Sequence, residues 1–183
     1  MKPEKPKFIE SLTIRPSEER DLSAIQAIYE IAVQQGTGTF ETEAPTLDEM
    51  ARRRTEVLSR KLPWLVAEAD GQILGYAYAN YFRPRLAYRF CLEDSIYLHP
   101  AAQGKGLGKL MLAELIARCE QLGARQMLAV IGDADNLGSI GIHRSLGFSH
   151  SGVLKNAGWK FGRWLDVVMM QRQLGQGAQC SPE

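Results

Sequence analysis

The chain has 183 residues, 45% of them hydrophobic, and its 22 basic and 21 acidic side chains leave a net charge of +1. That size and apolar fraction suit one domain with a sizeable core and argue against disorder, while near-neutrality removes the electrostatic case for nucleic acid or an anionic membrane. Cys91, Cys119 and Cys180 are odd in number and scattered, which fits a reducing, cytoplasmic setting and neither a disulfide framework nor a metal site.

Residues 1–11 read as a flexible tail: Met1 to Glu10 is rich in Lys, Pro and Glu and lacks the apolar run of a secretory signal. Leu12-Thr13-Ile14-Arg15 alternates as a short strand that Pro16 stops. Asp21 is placed to cap a helix whose apolar stripe is Leu22, Ile25, Ile28-Tyr29 and Ala32-Val33. Gly36-Thr37-Gly38-Thr39 breaks it, and Thr46-x-x-Glu49 reads as a capping box for a second helix to about Arg60. Trp64–Ala69 and Ile73–Tyr81 flank Asp70-Gly71, a strong hairpin signal. A third strand runs from Phe90 to Leu98, followed by a helix over 106–122, a strand over Gln126–Ile131 and a helix from about Asn136 to Leu146. Strand-like pieces near 148–154 and 164–173 close a single domain spanning 12–174, and 175–183 is a second flexible tail. The order β-α-α-β-β-β-α-β-α-β-β predicts an α/β fold, a mixed sheet with helices on both faces. No stretch approaches the roughly 20 apolar residues of a membrane helix.

The most telling run is Ile96-Tyr-Leu-His-Pro-Ala-Ala-Gln103-Gly104-Lys105-Gly106-Leu107-Gly108, a strand end, a turn and a helix start. Glycines before a helix let backbone N–H groups converge where the helix dipole adds about half a positive charge, which makes a diphosphate cradle. A Walker loop would need Gly and Ser/Thr where Gln103 and Leu110 stand, and the dinucleotide fingerprint fails at Lys109 and Met111. What remains, Gln-x-x-Gly-x-Gly, resembles the coenzyme A pyrophosphate loop of the GCN5-related N-acetyltransferases.

Further segments carry the same resemblance. They are Asn136-x-x-Ser139-x-x-x-His143-x-x-Leu146-Gly147-Phe148, Gly75-Tyr-Ala-Tyr-Ala79, Arg83-x-Arg85, Ala87-Tyr88, Glu93, and Lys160-Phe-Gly-Arg-Trp164 with Asp166. Together they look like the phosphinothricin and methionine-sulfoximine N-acetyltransferase branch, over about residues 12–174. The resemblance implies a mostly antiparallel sheet splayed at the cofactor site, acetyl-CoA as cosubstrate, a small-molecule amine acceptor, no metal, and a homodimer.

Direct attack of an amine on the thioester calls for a general base. Glu93 matches the carboxylate with that role in the resembled branch, with Asp94 as rival. On a strand Glu93 shares a face with Ser95 and Tyr97, opposite Asp94 and Ile96. The resemblance implies that backbone at Ile96, Tyr97 and Leu98 holds pantetheine and faces the thioester oxygen. It also implies that Gln103–Lys109, Asn136 and Ser139 hold the rest of the cofactor, Lys105 and Lys109 adding charge. Many relatives carry a Tyr where this chain has His143, so His143 is either the acid for the leaving thiolate, a cofactor contact, or a satisfied core histidine. His99 and His150 read as structural. The segment with Phe82, Arg83, Pro84, Arg85 and Tyr88 gathers cations and aromatics beside the base, which suits an acceptor bearing an acid group. A protein-directed acetyltransferase would favour an open acidic groove instead, and a non-catalytic CoA-binding module would not need Glu93.

Overall fold

The computed structural model describes residues 11–182; the predicted N-terminal tail lies outside the described residues except for its last residue, Ser11. Seven strands form one sheet: β1 (Thr13–Pro16), β2 (Trp64–Ala69), β3 (Gln72–Tyr81), β4 (Cys91–Leu98), β5 (Gln126–Gly132), β6 (Ser149–Lys160) and β7 (Arg163–Gln173). Their spatial order is β1-β2-β3-β4-β5-β7-β6. Every pairing is antiparallel except β4 with β5.

Four helices cover the sheet: α1 (Leu22–Gln35), α2 (Leu47–Ser59), α3 (Leu107–Gln121) and α4 (Leu137–Ser145). Of the predicted stripe of α1, Leu22, Ile25, Ile28, Tyr29 and Val33 are inside, while Ala32 is half-buried at the cleft described below. Tyr29 packs edge-on against Tyr97 of β4 with centroids 4.8 Å apart. On that same face Trp64, Tyr76 and Tyr78 stack across β2 and β3. The opposite face holds Met111, Leu112 and Leu115 of α3, each fully buried. A core on both faces fixes the register, because a one-residue slip would turn every side chain to the wrong side.

Two helix starts differ from expectation. Asp21 ends a 3-10 turn, Glu19–Asp21, and makes no side-chain cap for α1. Its carboxylate instead accepts from Arg15 at 2.7 and 2.8 Å and from the Glu18 amide at 2.7 Å. Thr46 does accept from the Glu49 amide, but the Glu49 carboxylate turns to Arg52 and Arg53, so only half of the capping box forms.

The C-terminal region differs too. β6 reaches Lys160 rather than stopping near 154, with register shifts against β7 at His150/Gly152 and Leu154/Gly158. An edge strand wetted on both faces has no inside–outside alternation to read, which is why the spacing hid its length. Residues 175–182 turn back, bringing the Cys180 Sγ within 3.7 Å of the Arg125 guanidinium.

One irregularity positions everything that follows. The β4–β5 ladder covers only Cys91–Asp94 against Gln126–Ala129. Beyond it β4 stays with β3 as far as Leu98, while β5 follows β7 to Gly132.

Candidate active site

Where the two strands part, a cleft of about 780 Å³ opens. Glu93–Leu98 form one wall, Ala129–Ile131 the other, and Gly36–Gly38, Gln103-Gly104, Asn136, Ser139 and His143 complete it. The β4 edge over Ser95–Leu98 has no ladder on its β5 side, so its backbone groups are available to an extended ligand. Gln103 closes off one of them by donating to the Leu98 carbonyl at 3.3 Å.

The glycine turn leads from this edge into α3. Gly104 and Gly106 have φ of +70° and +85°, where an L side chain is strained, and a Cβ at either would meet nothing within 4 Å. The turn is therefore open to a ligand at the positive end of α3. A Cβ on Gly108 would meet Ile142 Cδ1 at 2.9 Å, so this third glycine serves close α3–α4 packing. The Leu107 side chain is in the core at 1% exposure, so what it offers a ligand is its backbone. Lys105 and Lys109 are exposed beside the turn and outside the cleft lining. Asn136 caps α4, its side-chain oxygen accepting from the Ser139 amide at 3.2 Å.

The adjacent carboxylates on β4 face different surroundings. Glu93 is half-buried on the α1 side; burial pushes its carboxyl above the usual range, Asp94 adds to that, and Arg83 pulls it back. Asp94 points the other way and accepts from His143 Nε2 at 2.9 Å, both side chains being almost fully buried. His143 Nδ1 lies 2.7 Å from the Ser139 carbonyl. Both ring nitrogens thus face acceptors, which is the arrangement of an imidazolium. Burial alone would lower the His143 pKa, but the hydrogen bond and charge of Asp94, with the Ser139 carbonyl, raise it above the usual histidine value. Both ring nitrogens are thus engaged, as in a paired core histidine, while the ring also borders the cleft.

The Phe82, Arg83, Pro84, Arg85 and Tyr88 segment does not line the cleft. Arg83, Pro84, Arg85 and Tyr88 are exposed, Arg83 lying over the Phe82 ring at 4.7 Å. Among them Arg83 is close enough to act on the Glu93 carboxyl.

Three polar groups around the cleft were not legible as functional in the sequence. Asp133, with φ of +70°, accepts from Arg163 and from the Asp135 amide. Tyr29 shares its hydroxyl with Thr39 and Glu41 at 2.8 and 2.9 Å, and burial raises its pKa to about 12. Lys160 is buried at 4% exposure, with burial pulling its pKa below the usual lysine value. For the last, the sequence offered only its place in the Lys160-Phe-Gly-Arg-Trp164 segment of the family resemblance, with no role attached.

This geometry agrees with comparison to known proteins. Residues 25–148 match the acetyltransferase (GNAT) family. A phosphinothricin N-acetyltransferase of Alcaligenes faecalis is 52% identical over 171 residues, 93% of this chain and 87% of that protein. An L-methionine sulfoximine/L-methionine sulfone acetyltransferase of Salmonella typhimurium is 38% identical over 170 residues, covering 91% and 97%. The crystal structure of a phosphinothricin acetyltransferase from Sinorhizobium meliloti, in complex with acetyl-CoA, superposes with a TM-score of 0.92. Its sequence is 48% identical, with 94% of each chain covered. The chain belongs to the GNAT acetyltransferase family.

The Asp94–His143 pair makes a testable prediction about stability. The folded His143 pKa is raised, so its contribution is complete below the unfolded value near 6.5 and is lost as pH rises through the folded value. At pH 6, His143→Leu leaves a buried charge unpaired and is expected to cost about 3–5 kcal/mol, whereas His143→Leu with Asp94→Leu should cost less than the single change. The penalty of the single change should shrink at pH 9. Urea denaturation at both pH values measures this, and a single variant as stable as the parent would show that no such pair exists.

Proposed function

We propose that the protein transfers acetyl from acetyl-CoA to the amine of a small amino-acid-like acceptor, of the phosphinothricin, methionine sulfoximine or methionine sulfone type. The observation that carries this is the parted β4–β5 edge, which joins a half-buried carboxylate to a left-handed glycine turn at the head of a helix. The names of the relatives support the acceptor class.

Acetyl-CoA supplies the acetyl group as a thioester. Backbone at Ile96, Tyr97 and Leu98 binds its pantetheine arm as an added strand would, and N–H groups there face the thioester oxygen as charge develops on it. Gly104, Gly106 and the amides opening α3 hold the diphosphate, with Gln103, Gly108 and Asn136 beside them and Lys105 and Lys109 adding positive charge. Ser139 lies in the same wall. Glu93 takes the proton from the acceptor amine as the C–N bond forms and the C–S bond breaks; the departing thiolate takes its proton from water. A carboxyl raised by burial is the better base for an ammonium, since its pKa is moved toward that of the group it deprotonates. His143 does not act on the thiolate in this scheme but steadies Asp94 at the point where the strands part.

Arg83 and Arg85 bind the acid groups of the acceptor and orient its amine over Glu93. We also infer a cytoplasmic homodimer. The three described cysteines are free, and no helix among the described residues is long and apolar enough to cross a membrane. Trp159, Phe161 and Trp164 are each more than half exposed at the β6–β7 hairpin, an apolar patch that suits a second copy. Sedimentation velocity is expected to give a dimer that Trp164→Glu converts to monomer, and a monomeric parent would refute it.

Glu93→Gln should bind acetyl-CoA with parental affinity in calorimetry yet lose about 10² to 10⁴-fold in turnover. In the parent, kcat/KM should fall as pH drops through the raised Glu93 pKa. The stability sign is opposite. With its folded pKa raised, the contribution of Glu93 is full below the unfolded carboxylate value and is lost as pH rises, so at pH 8 Glu93→Gln should be at least as stable as the parent. Parental turnover in Glu93→Gln would remove it as the base.

Arg83→Ala and Arg85→Ala should each raise the KM for an acidic amino-acid acceptor more than the KM for acetyl-CoA. Activity confined to peptides or polyamines, with both variants silent, would refute the acceptor class.

A further inference from the structure

Lys160 ends β6, and its buried ammonium lies 5.0 Å from the centre of the half-exposed Phe161 ring. The Nζ donates to the Gly36 carbonyl at 2.8 Å and to the Thr39 carbonyl at 2.9 Å, more than 120 residues away in the chain. Both acceptors are neutral carbonyls. Burying an ammonium against such partners is a poor route to stability alone.

Other contacts gather around the same short segment. Arg163, just past the hairpin turn, donates to Asp133, which follows the end of β5. Phe40 is seated in a slot made by two missing side chains. A Cβ on Gly158 would meet the Phe40 ring at 2.2 Å, and one on Gly132 would meet the Thr37 carbonyl at 2.3 Å and the Phe40 ring at 2.9 Å. Thr39 accepts or donates at the Tyr29 hydroxyl, and the Tyr29 ring packs on Tyr97, which shares the Glu93 face of β4. Gly36, Thr37 and Gly38 line the cleft itself. A run of Gly-Thr-Gly-Thr has little preference for one shape, so its conformation here comes from these long-range ties.

We propose that Lys160 is a positioning residue for acceptor recognition, locking Gly36–Phe40 against β5 and the β6–β7 hairpin as a fixed wall over the Glu93 side of the cleft. The role rests on the acetyltransferase reading given above. Thr39 ties the segment to the Tyr29–Tyr97 face, away from the glycine turn that precedes α3. Only Gly38 approaches Asn136 on the cofactor side, so the acceptor is the substrate expected to feel the loss of Lys160.

The test compares the parent with Lys160→Met, which removes both donors, and Lys160→Gln, which retains an amide donor. With acetyl-CoA and an acceptor such as methionine sulfone, Lys160→Met should raise acceptor KM about tenfold. Its kcat and acetyl-CoA KM should stay within about threefold of the parent, with Lys160→Gln between the two. Hydrogen exchange by mass spectrometry should speed up over residues 36–41 and not over α3. Unchanged acceptor KM with an equally protected segment would overturn the proposal. So would a uniform loss of protection with kcat and both KM values affected alike, which would mark Lys160 as ordinary fold support. Should Lys160→Met not fold, Phe40→Leu loosens the same segment from its slot, and the same split in KM decides the matter. If the parent turns over no amine, the acetyltransferase reading falls and takes this role with it, whereas silence confined to the variants overturns the Lys160 role alone.

Discussion

The fold turns on a single interruption in backbone pairing. Parallel β4 and β5 share only four residue pairs before each continues with a different neighbour. An unpaired strand edge inside a protein is expensive unless something satisfies it. Here the edge opens onto a cleft rather than being buried against apolar side chains. Core packing keeps the strands from closing the gap: α1 and the tyrosine stack sit under β4, and α3 packs against the other face.

Placing the interruption beside Asp94 gives neighbouring carboxylates separate duties. Alternation along β4 sends Glu93 to one face and Asp94 to the other. The first meets partial burial and the neighbouring Asp94 charge, so the protonated form gains ground even though Arg83 opposes this. The second meets a doubly engaged imidazole and is held in an ion pair between β4 and α4. One Asp94 oxygen remains buried with no hydrogen-bond partner among the described residues, so the pair is not optimised for stability. A buried ion pair of this kind contributes more to a defined geometry than to folding energy.

The walls of the cleft are held from outside it. The Gly36–Phe40 segment has no regular structure, yet an ammonium and an aromatic slot hold it from β5 and β6. Those strands lie far from α1 in sequence, so the ends of the chain depend on each other for the shape of the site. The 81–89 segment is the contrast, since Arg83 and Arg85 are exposed and lie outside the cleft lining.

Much of this was readable from residue order. The stripe of α1, the Asp70-Gly71 hairpin, the glycine turn before α3 and the cap at Asn136 are local devices, each set by spacing within about a dozen residues. They were enough to indicate the element order, the mixed sheet and the position of the cleft. That Glu93 and Asp94 face opposite sides of β4 was legible because strand alternation is a local rule. The sequence could not tell that Asp21 serves Arg15 rather than α1, since that competition depends on a strand partner brought in by the sheet. Nor could it show that His143 meets Asp94, which is 49 positions away. Lys160, Phe40 and the two glycines that admit its ring are likewise a matter of distant segments meeting. Local periodicity thus determined which elements form and where the strands face. Only tertiary packing decided which polar groups are buried together, because burial and pairing are properties of neighbours in space.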